Sequence, residues 1–345
     1  MDGILRTRPG VDGEPPARAR RAVRLVPGVV LATLLAGCAT VLGRLVPVLG
    51  PAAIGLLLGL VVALSGRLPR SARPGVEGSK TLLLQLAVVA LGAQLSLGRI
   101  AQIGVSSLPV MLGTMLACAA AAVLLRRWLG IDGELTTLIG VGTAICGASA
   151  IAAISPVIRA RAHNVGYAVS TVFLFNIAAL LAFPPLGHAL GLSQHQFGLF
   201  AGTAVNDTSS VVATASAYGR SATDYAVVVK LTRTLMIVPI ALVFSVRTAG
   251  RGGGSLRLRA VRLVPWFLVG FLLLAAVHSA GLLPDPALRL SRTAAGFLIT
   301  TALTAVGLSL DVRELRRTGA RPLLLGLALW VVVASTSLLL QSLAG

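Results

Sequence analysis

Apolar residues along this chain fall in long unbroken blocks, not in alternation and not on a single helical stripe. The blocks run at roughly 25–43, 47–65, 80–97, 105–125, 134–157, 163–183, 195–217, 223–246, 262–283, 293–310 and 321–343, separated by short polar connectors. Each is long enough to cross ~30 Å of hydrocarbon as a helix, and none shows the short alternating strands of a barrel. The pattern predicts an all-α polytopic membrane protein with about 9–11 transmembrane helices. Residues 1–22 are polar and rich in Pro, Gly and Arg, and read as a disordered cytoplasmic tail ahead of a transmembrane domain over 23–345. The longest polar break in the second half, "RTAGRGGGSLRLRAVR" at 247–262, reads as a flexible basic loop.

Two blocks carry the wrong residues for a lipid-facing helix. "GTAICGASAIAA" spans 142–153 and "GTAVNDTSSVVA" spans 202–213. Each glycine costs a helix about 1 kcal/mol relative to alanine, so Gly140, Gly142 and Gly147 mark a weak point. A break there frees backbone groups that lipid cannot satisfy, which is tolerable only where the break faces protein, water or a solute. Half-helix N-termini point positive charge at anions, and their carbonyl ends hold cations. Gly142, Thr143, Gly147 and Ser149 in the first copy, and Gly202, Thr203, Asn206, Thr208, Ser209 and Ser210 in the second, therefore become candidate substrate contacts. Small-residue helix packing is the competing reading.

A second echo frames the first. "ALGAQLSLGRIAQIG" (90–104) resembles "TAVGLSLDVRELRRTG" (304–319), each ending an apolar block with Leu-Ser-Leu. By the crossing count they point in opposite directions, as in transporters built from inverted repeats. The halves lie at roughly 47–183 and 195–343. The order is LSL, GTA, GTA, LSL, a palindrome that suits a permuted second repeat.

Charge changes the picture next. Arginines cluster in connectors (Arg18 to Arg24, Arg67 to Arg73, Arg126 and Arg127, Arg247 to Arg262, Arg313 to Arg317), as cytoplasmic loops do. Only "RARAHN" (159–164) would face outward if every block spans. It moves inside if the two GTA blocks dip in and return on the same side. Charge alone leaves a hairpin and a spanning broken helix equally open.

Asp207 is the acid that sits well inside an apolar block, and a membrane carboxylate needs an interior partner. Lys230 and Arg233, at i, i+3 in "VVVKLTRTLMIVPIAL", share one face of the next helix. Together they read either as a polar cluster that attracts an anion while Asp207 orients it, or as a buried ion pair that fixes packing. Gln85, Gln94 and Asn176 read equally as interhelical hydrogen-bond donors and as pathway residues.

Composition excludes other classes. With 56% hydrophobic and 12% charged residues, the net charge of +19 belongs to connectors and not to a soluble basic face, so nucleic acid is not an expected partner. Cys38, Cys118 and Cys146 lie singly, and "LLAGC" at 34–38 imitates a lipoprotein cleavage site within an apolar run that continues past it. His163, His188, His195 and His278 show no ligand spacing. No nucleophile–base pair, phosphate-cradling loop or metal cage is present, so neither an enzyme nor a cofactor is expected.

The motifs resemble a known family. "GVGTAICGASAIAAISPVIRA", "AGTAVNDTSSVVATASAYG" and "VKLTRTLMIVPIAL", with "LGAQLSL" before and "VGLSLDVRELRRTGARPLLLG" after, are similar to the YeiH-type sulfate exporters over nearly the whole chain after the tail. The first GTA block with "HNVGYAVST" also resembles two helices of the bile-acid:sodium symporters, and that superfamily implies two broken helices crossing at a transport site. Members of the exporter family commonly place a His directly before the acid of the second motif; Asn206 stands there here, removing a titratable group. A divalent anion leaving a cell held ~100 mV negative inside gains about 4.6 kcal/mol, so export needs no coupled proton. The expectation is a multi-pass inner (cell) membrane transporter with a cytoplasmic N-terminus and a small sulfate-like anion as substrate, for which assembly as a homo-oligomer is compatible. A cation-coupled organic-anion symporter and a non-transporting scaffold are the alternatives.

Overall fold

The computed structural model describes residues 17–45, 50–66, 71–237, 265–309 and 320–344, with Pro69, Pro239, Ile240 and Val243. The first 16 residues of the expected tail and the basic loop 247–262 lie outside the described residues. Thirteen helices are described: α1 (Ala17–Leu45), α2 (Gly50–Leu64), α3 (Arg73–Gly92), α4 (Leu97–Leu129), α5 (Gly133–Ala144), α6 (Ala148–Ile154), α7 (Ala162–Ala189), α8 (Gln194–Ala204), α9 (Thr208–Tyr218), α10 (Arg220–Leu235), α11 (Trp266–Ser279), α12 (Asp285–Leu308) and α13 (Ala320–Ala344). α1, α3, α4, α7 and α13 are long and apolar enough to cross a bilayer, and α2 and α11 are shorter apolar helices. Their outer faces carry exposed large hydrophobics such as Leu34, Val61, Leu116 and Leu343, the surface that lipid covers. The chain is a multi-pass helical membrane protein.

Contacts at the helix ends fix which end lies on which face. The start of α3 packs at Gly75 against Leu25 and Gly28 of α1, and Lys80 reaches Ser309 at the end of α12 (3.5 Å). This is the near face. At the far face the Ser279 hydroxyl accepts from the Leu97 amide (2.7 Å), and Ser291 donates to the Ala90 carbonyl (2.8 Å). Among the described residues, nine helices therefore run between the faces: α1 to α4, α7 and α10 to α13.

The two GTA blocks do not span. α5 leaves the near face, and after α6 the chain returns to it. There the Arg161 amide donates to Glu134 (2.7 Å), Asn164 donates to the same carboxylate (2.9 Å), and Arg161 pairs with Asp132. α8 and α9 form the mirror case from the far face. Gln194 donates to the Tyr218 carbonyl (3.0 Å) and accepts from the Ala222 amide (3.1 Å), while the Tyr218 hydroxyl donates to the Leu192 carbonyl. Each block is a re-entrant hairpin, and the hairpins enter from opposite faces.

Element direction explains the palindrome. The order α2, α3, Leu-Ser-Leu, α4 recurs, every helix reversed, as α11, α12, Leu-Ser, α13; the first hairpin with α7 recurs reversed as the second hairpin with α10. Packing follows the same correspondence. α3 lies on α12 and α4 on α13; α5 meets α7 as α8 meets α10; α4 meets α10 as α13 meets α7. The hairpin unit has moved from the end of the second repeat to its beginning.

Two packed bodies result. One core draws on α4 to α10 and α13, centred on residues such as Ile139, Ile151, Phe183 and Phe200. The other unites α2, α3, α11 and α12 around Leu84, Val88, Phe271 and Leu303. α9 and α10 stand between them: Val211 and Ala226 belong to the first core, Val212 and Val228 to the second.

Candidate substrate site at the crossing of two hairpins

Each hairpin turns at its tip because the sequence there cannot continue a helix. In the first, the Gly147 amide closes back onto the Gly142 carbonyl (2.9 Å), and Gly147 takes φ 63°, ψ −132°, a conformation that disfavours any side chain. In the second, Val205 and Asp207 are extended, and Asp207 caps α9. The tips touch: a Cβ placed on Gly147 would lie 3.4 Å from the Asp207 Cβ. Two chain reversals thus meet deep inside the protein.

Four helix termini converge there, and two of them present orphan carbonyls. Lys230 and Arg233 are fully buried on α10, beneath the tips. The Lys230 ammonium donates to the Ile145 carbonyl (2.7 Å) on one tip and the Val205 carbonyl (2.9 Å) on the other. Arg233 Nε donates to Ala144 (2.7 Å), and its Nη1 donates to Thr203. One helix therefore supplies both cations that the carbonyl ends of α5 and α8 require. Glycines bring it close enough. In "GLFAG", Gly198 and Gly202 let α8 lie on α10; a Cβ at Gly202 would come within 2.8 Å of Val229 and 3.0 Å of the Ala226 carbonyl.

The carboxylate is served separately. Asp207 Oδ1 accepts from the Ser210 amide (2.9 Å) and the Ser209 hydroxyl; Oδ2 accepts from the Ser210 hydroxyl (2.6 Å) and the Asn176 amide nitrogen. Asn176 also accepts from the Asn206 amide (2.9 Å), so a residue of α7 grips the tip at two points. Four donors fill the roughly four lone-pair positions of a carboxylate.

The cluster read from sequence is therefore assembled, with one change of partners. Lys230 and Arg233 do share a face, but their donors go to backbone carbonyls, and Asp207 goes to its own helix and to Asn176. Backbone carbonyls are invisible in a residue pattern, which is why the sequence offered only Asp207 as partner. Gly142 packs on Ile151 and Val172, and the Thr203 hydroxyl bonds the Leu199 carbonyl and Ser337 (2.7 Å each), so these two serve packing around the tips. Thr143 is buried, Ser149 is exposed, and Thr208 and Ser209 are half-buried beside Asp207. Asn176 is the positioning residue that the sequence left between two readings.

Donors and one acceptor remain unspent. Lys230 has three N–H groups and uses two; Arg233 Nη2 and Asn206 Oδ1 are buried with no hydrogen-bond partner. Such atoms in a membrane interior mark where water or a ligand completes the bonding. Two basic side chains stand against one carboxylate at the crossing.

The family model for conserved hypothetical protein 698 matches residues 27–326. The chain belongs to this family. Among its relatives, a UPF0324 membrane protein of Streptococcus pyogenes serotype M6 is 41% identical over 92% of this chain and 97% of its own length. UPF0324 membrane proteins of Streptococcus agalactiae serotype V (38% identical, covering 93% and 98%) and Fusobacterium nucleatum (36% identical, covering 92% and 98%) are similar end to end. The matched residues include both hairpins and α10.

Proposed function

We propose that this member of the family is a secondary transporter that moves a small anion by alternating access, with the crossed hairpin tips as the transit site. The observation that carries the reading is the shared pair of buried cations, Lys230 and Arg233, joining two re-entrant tips from opposite faces. Lipid-buried cations cost several kcal/mol each, and a static scaffold achieves helix packing more cheaply with apolar side chains. Their unspent donors favour a negative solute. The resemblance to YeiH-type exporters makes sulfate the first anion to test.

Orientation follows from charge. With the hairpins re-entrant, Arg73, Arg126, Arg127, Arg159 and Arg161 fall on the face where α1 starts. By the positive-inside rule that face is cytoplasmic. The N-terminus is then inside, and a dianion leaving toward the far face moves down the membrane potential. The two packed bodies, meeting through α9 and α10, are the units whose rocking would expose the tips alternately.

The cation-coupled alternative needs Asp207 as an ion ligand. With four donors already on its two oxygens, no lone pair is left for Na⁺ in this conformation. The test is flux in reconstituted vesicles. Labelled sulfate, or another anion of a small panel, should move in response to an imposed potential without a Na⁺ or pH gradient. Flux that requires a cation gradient, or no flux with any anion, overturns the proposal.

A further inference from the structure

A second polar site lies outside the crossing, near the far face, where the two bodies meet. A cavity of about 490 Å³ opens between α1, α2, α3, α9, α10 and α12, and a smaller one of about 190 Å³ adjoins it toward α4 and α8. Gln94 and Asp224 line both. Arg220 and Arg292 line the larger and Arg99 the smaller. These arginines come from α10, α12 and α4, so both bodies contribute. All three act electrostatically on Asp224, yet no described ion pair joins any of them to it.

Two buried atoms on this lining lack hydrogen-bond partners: Gln94 Nε2, a donor, and Asp224 Oδ1, an acceptor. Three guanidinium groups around one carboxylate call for an anion. The unpartnered carboxylate oxygen calls for a donor hydrogen on that same anion. A fully deprotonated oxoanion such as sulfate satisfies the first demand and places lone pairs against Asp224. An anion that also carries a hydroxyl or ammonium group satisfies both.

We propose that this cleft is an anion-binding vestibule that selects small anions bearing a hydrogen-bond donor, with Arg99, Arg220 and Arg292 holding the charge and Asp224 reading the donor. It deepens the transport reading by naming the class of anion that passes the far face, and it rests on that reading only for its place in a pathway. Sites built to hydrogen-bond a ligand hydroxyl reject the analogue lacking it far more strongly than apolar pockets reject size changes.

The experiment is equilibrium titration of the purified full-length protein in lipid nanodiscs with 2-hydroxyethanesulfonate and, separately, ethanesulfonate, which differ by the one hydroxyl. The hydroxylated anion should bind at least ~10-fold more tightly. Asp224→Asn should reduce that preference several-fold, and Arg292→Gln should weaken both anions together. Equal binding of the two by the unaltered protein, no binding of either, or a preference untouched by both substitutions overturns the proposal. The unaltered protein decides the matter even if a variant fails to fold. Binding without flux would leave the vestibule standing and sink the transport reading; flux without selective binding would do the reverse.

Discussion

Replacing Lys230 by methionine removes one ammonium group and keeps the length and most of the volume of the side chain. Two charge-assisted hydrogen bonds disappear, to Ile145 at 2.7 Å and Val205 at 2.9 Å. At about 1.5–3 kcal/mol each, the gross loss is about 3–6 kcal/mol. The helix-dipole ends of α5 and α8 lose a counter-charge as well, at about 0.3–2 kcal/mol apiece. Against this, the variant no longer bears the desolvation cost of a buried ammonium, several kcal/mol by itself. The net expectation is a destabilisation of about 2–4 kcal/mol, carried by carbonyls left without donors. Lys80→Met is the control. Lys80 pairs with Glu77 at 2.8 Å on a part-exposed surface, so its loss should cost under ~1 kcal/mol. Reversible unfolding of both variants in one detergent gives the comparison, and anion flux should vanish in Lys230→Met alone. A Lys230→Met protein as stable as the unaltered one would show that the two carbonyl bonds do not hold the tips, and the reasoning would fail.

Other substitutions probe the remaining contacts. Asn176→Leu strips the Asn206 amide and Asp207 Oδ2 of a partner each, and should lower stability by about 2–3 kcal/mol in the same unfolding assay. Asp207→Ala removes the cap of α9 for about 1 kcal/mol, yet should abolish flux because the second tip loses its anchor; retained flux would free the carboxylate from any role. Gly202→Val drives a side chain into Val229 and the Ala226 carbonyl, so α10 must retreat; the expected result is a protein that is inactive and less stable by over ~2 kcal/mol. Gly37→Ala is its counterpart, with nothing within 4 Å, and should be neutral or stabilising by up to ~1 kcal/mol.

The sequence carried the membrane class because helix-length apolar blocks admit few alternatives. It carried both chain breaks too, since glycine and hydroxyl residues are misplaced in lipid unless the backbone needs them. It did not decide between spanning and returning. That choice is set by contacts such as Arg161 with Asp132 and Glu134, and Gln194 with Tyr218, between residues 24–29 positions apart in loops of ordinary composition. The helical spacing of Lys230 and Arg233 correctly placed both on one face. Their partners are main-chain oxygens, which every residue has, so nothing in the pattern could single them out. Asp224, just past the first turn of α10, belongs to none of the sequence motifs. Only the arrival of Arg292 from α12 and Gln94 from the turn after α3 makes it part of a cleft.

The central claim is that two hairpins enter from opposite faces and meet at shared cations. Single cysteines in a cysteine-free background test it directly, read with a membrane-impermeant thiol reagent on vesicles of known sidedness. Arg127→Cys and His163→Cys flank the first hairpin; Leu190→Cys and Ser221→Cys flank the second. The account predicts that Arg127→Cys and His163→Cys label from one face, and that Leu190→Cys and Ser221→Cys both label from the other. Labelling of either pair from opposite faces would make that block a spanning helix and contradict the account.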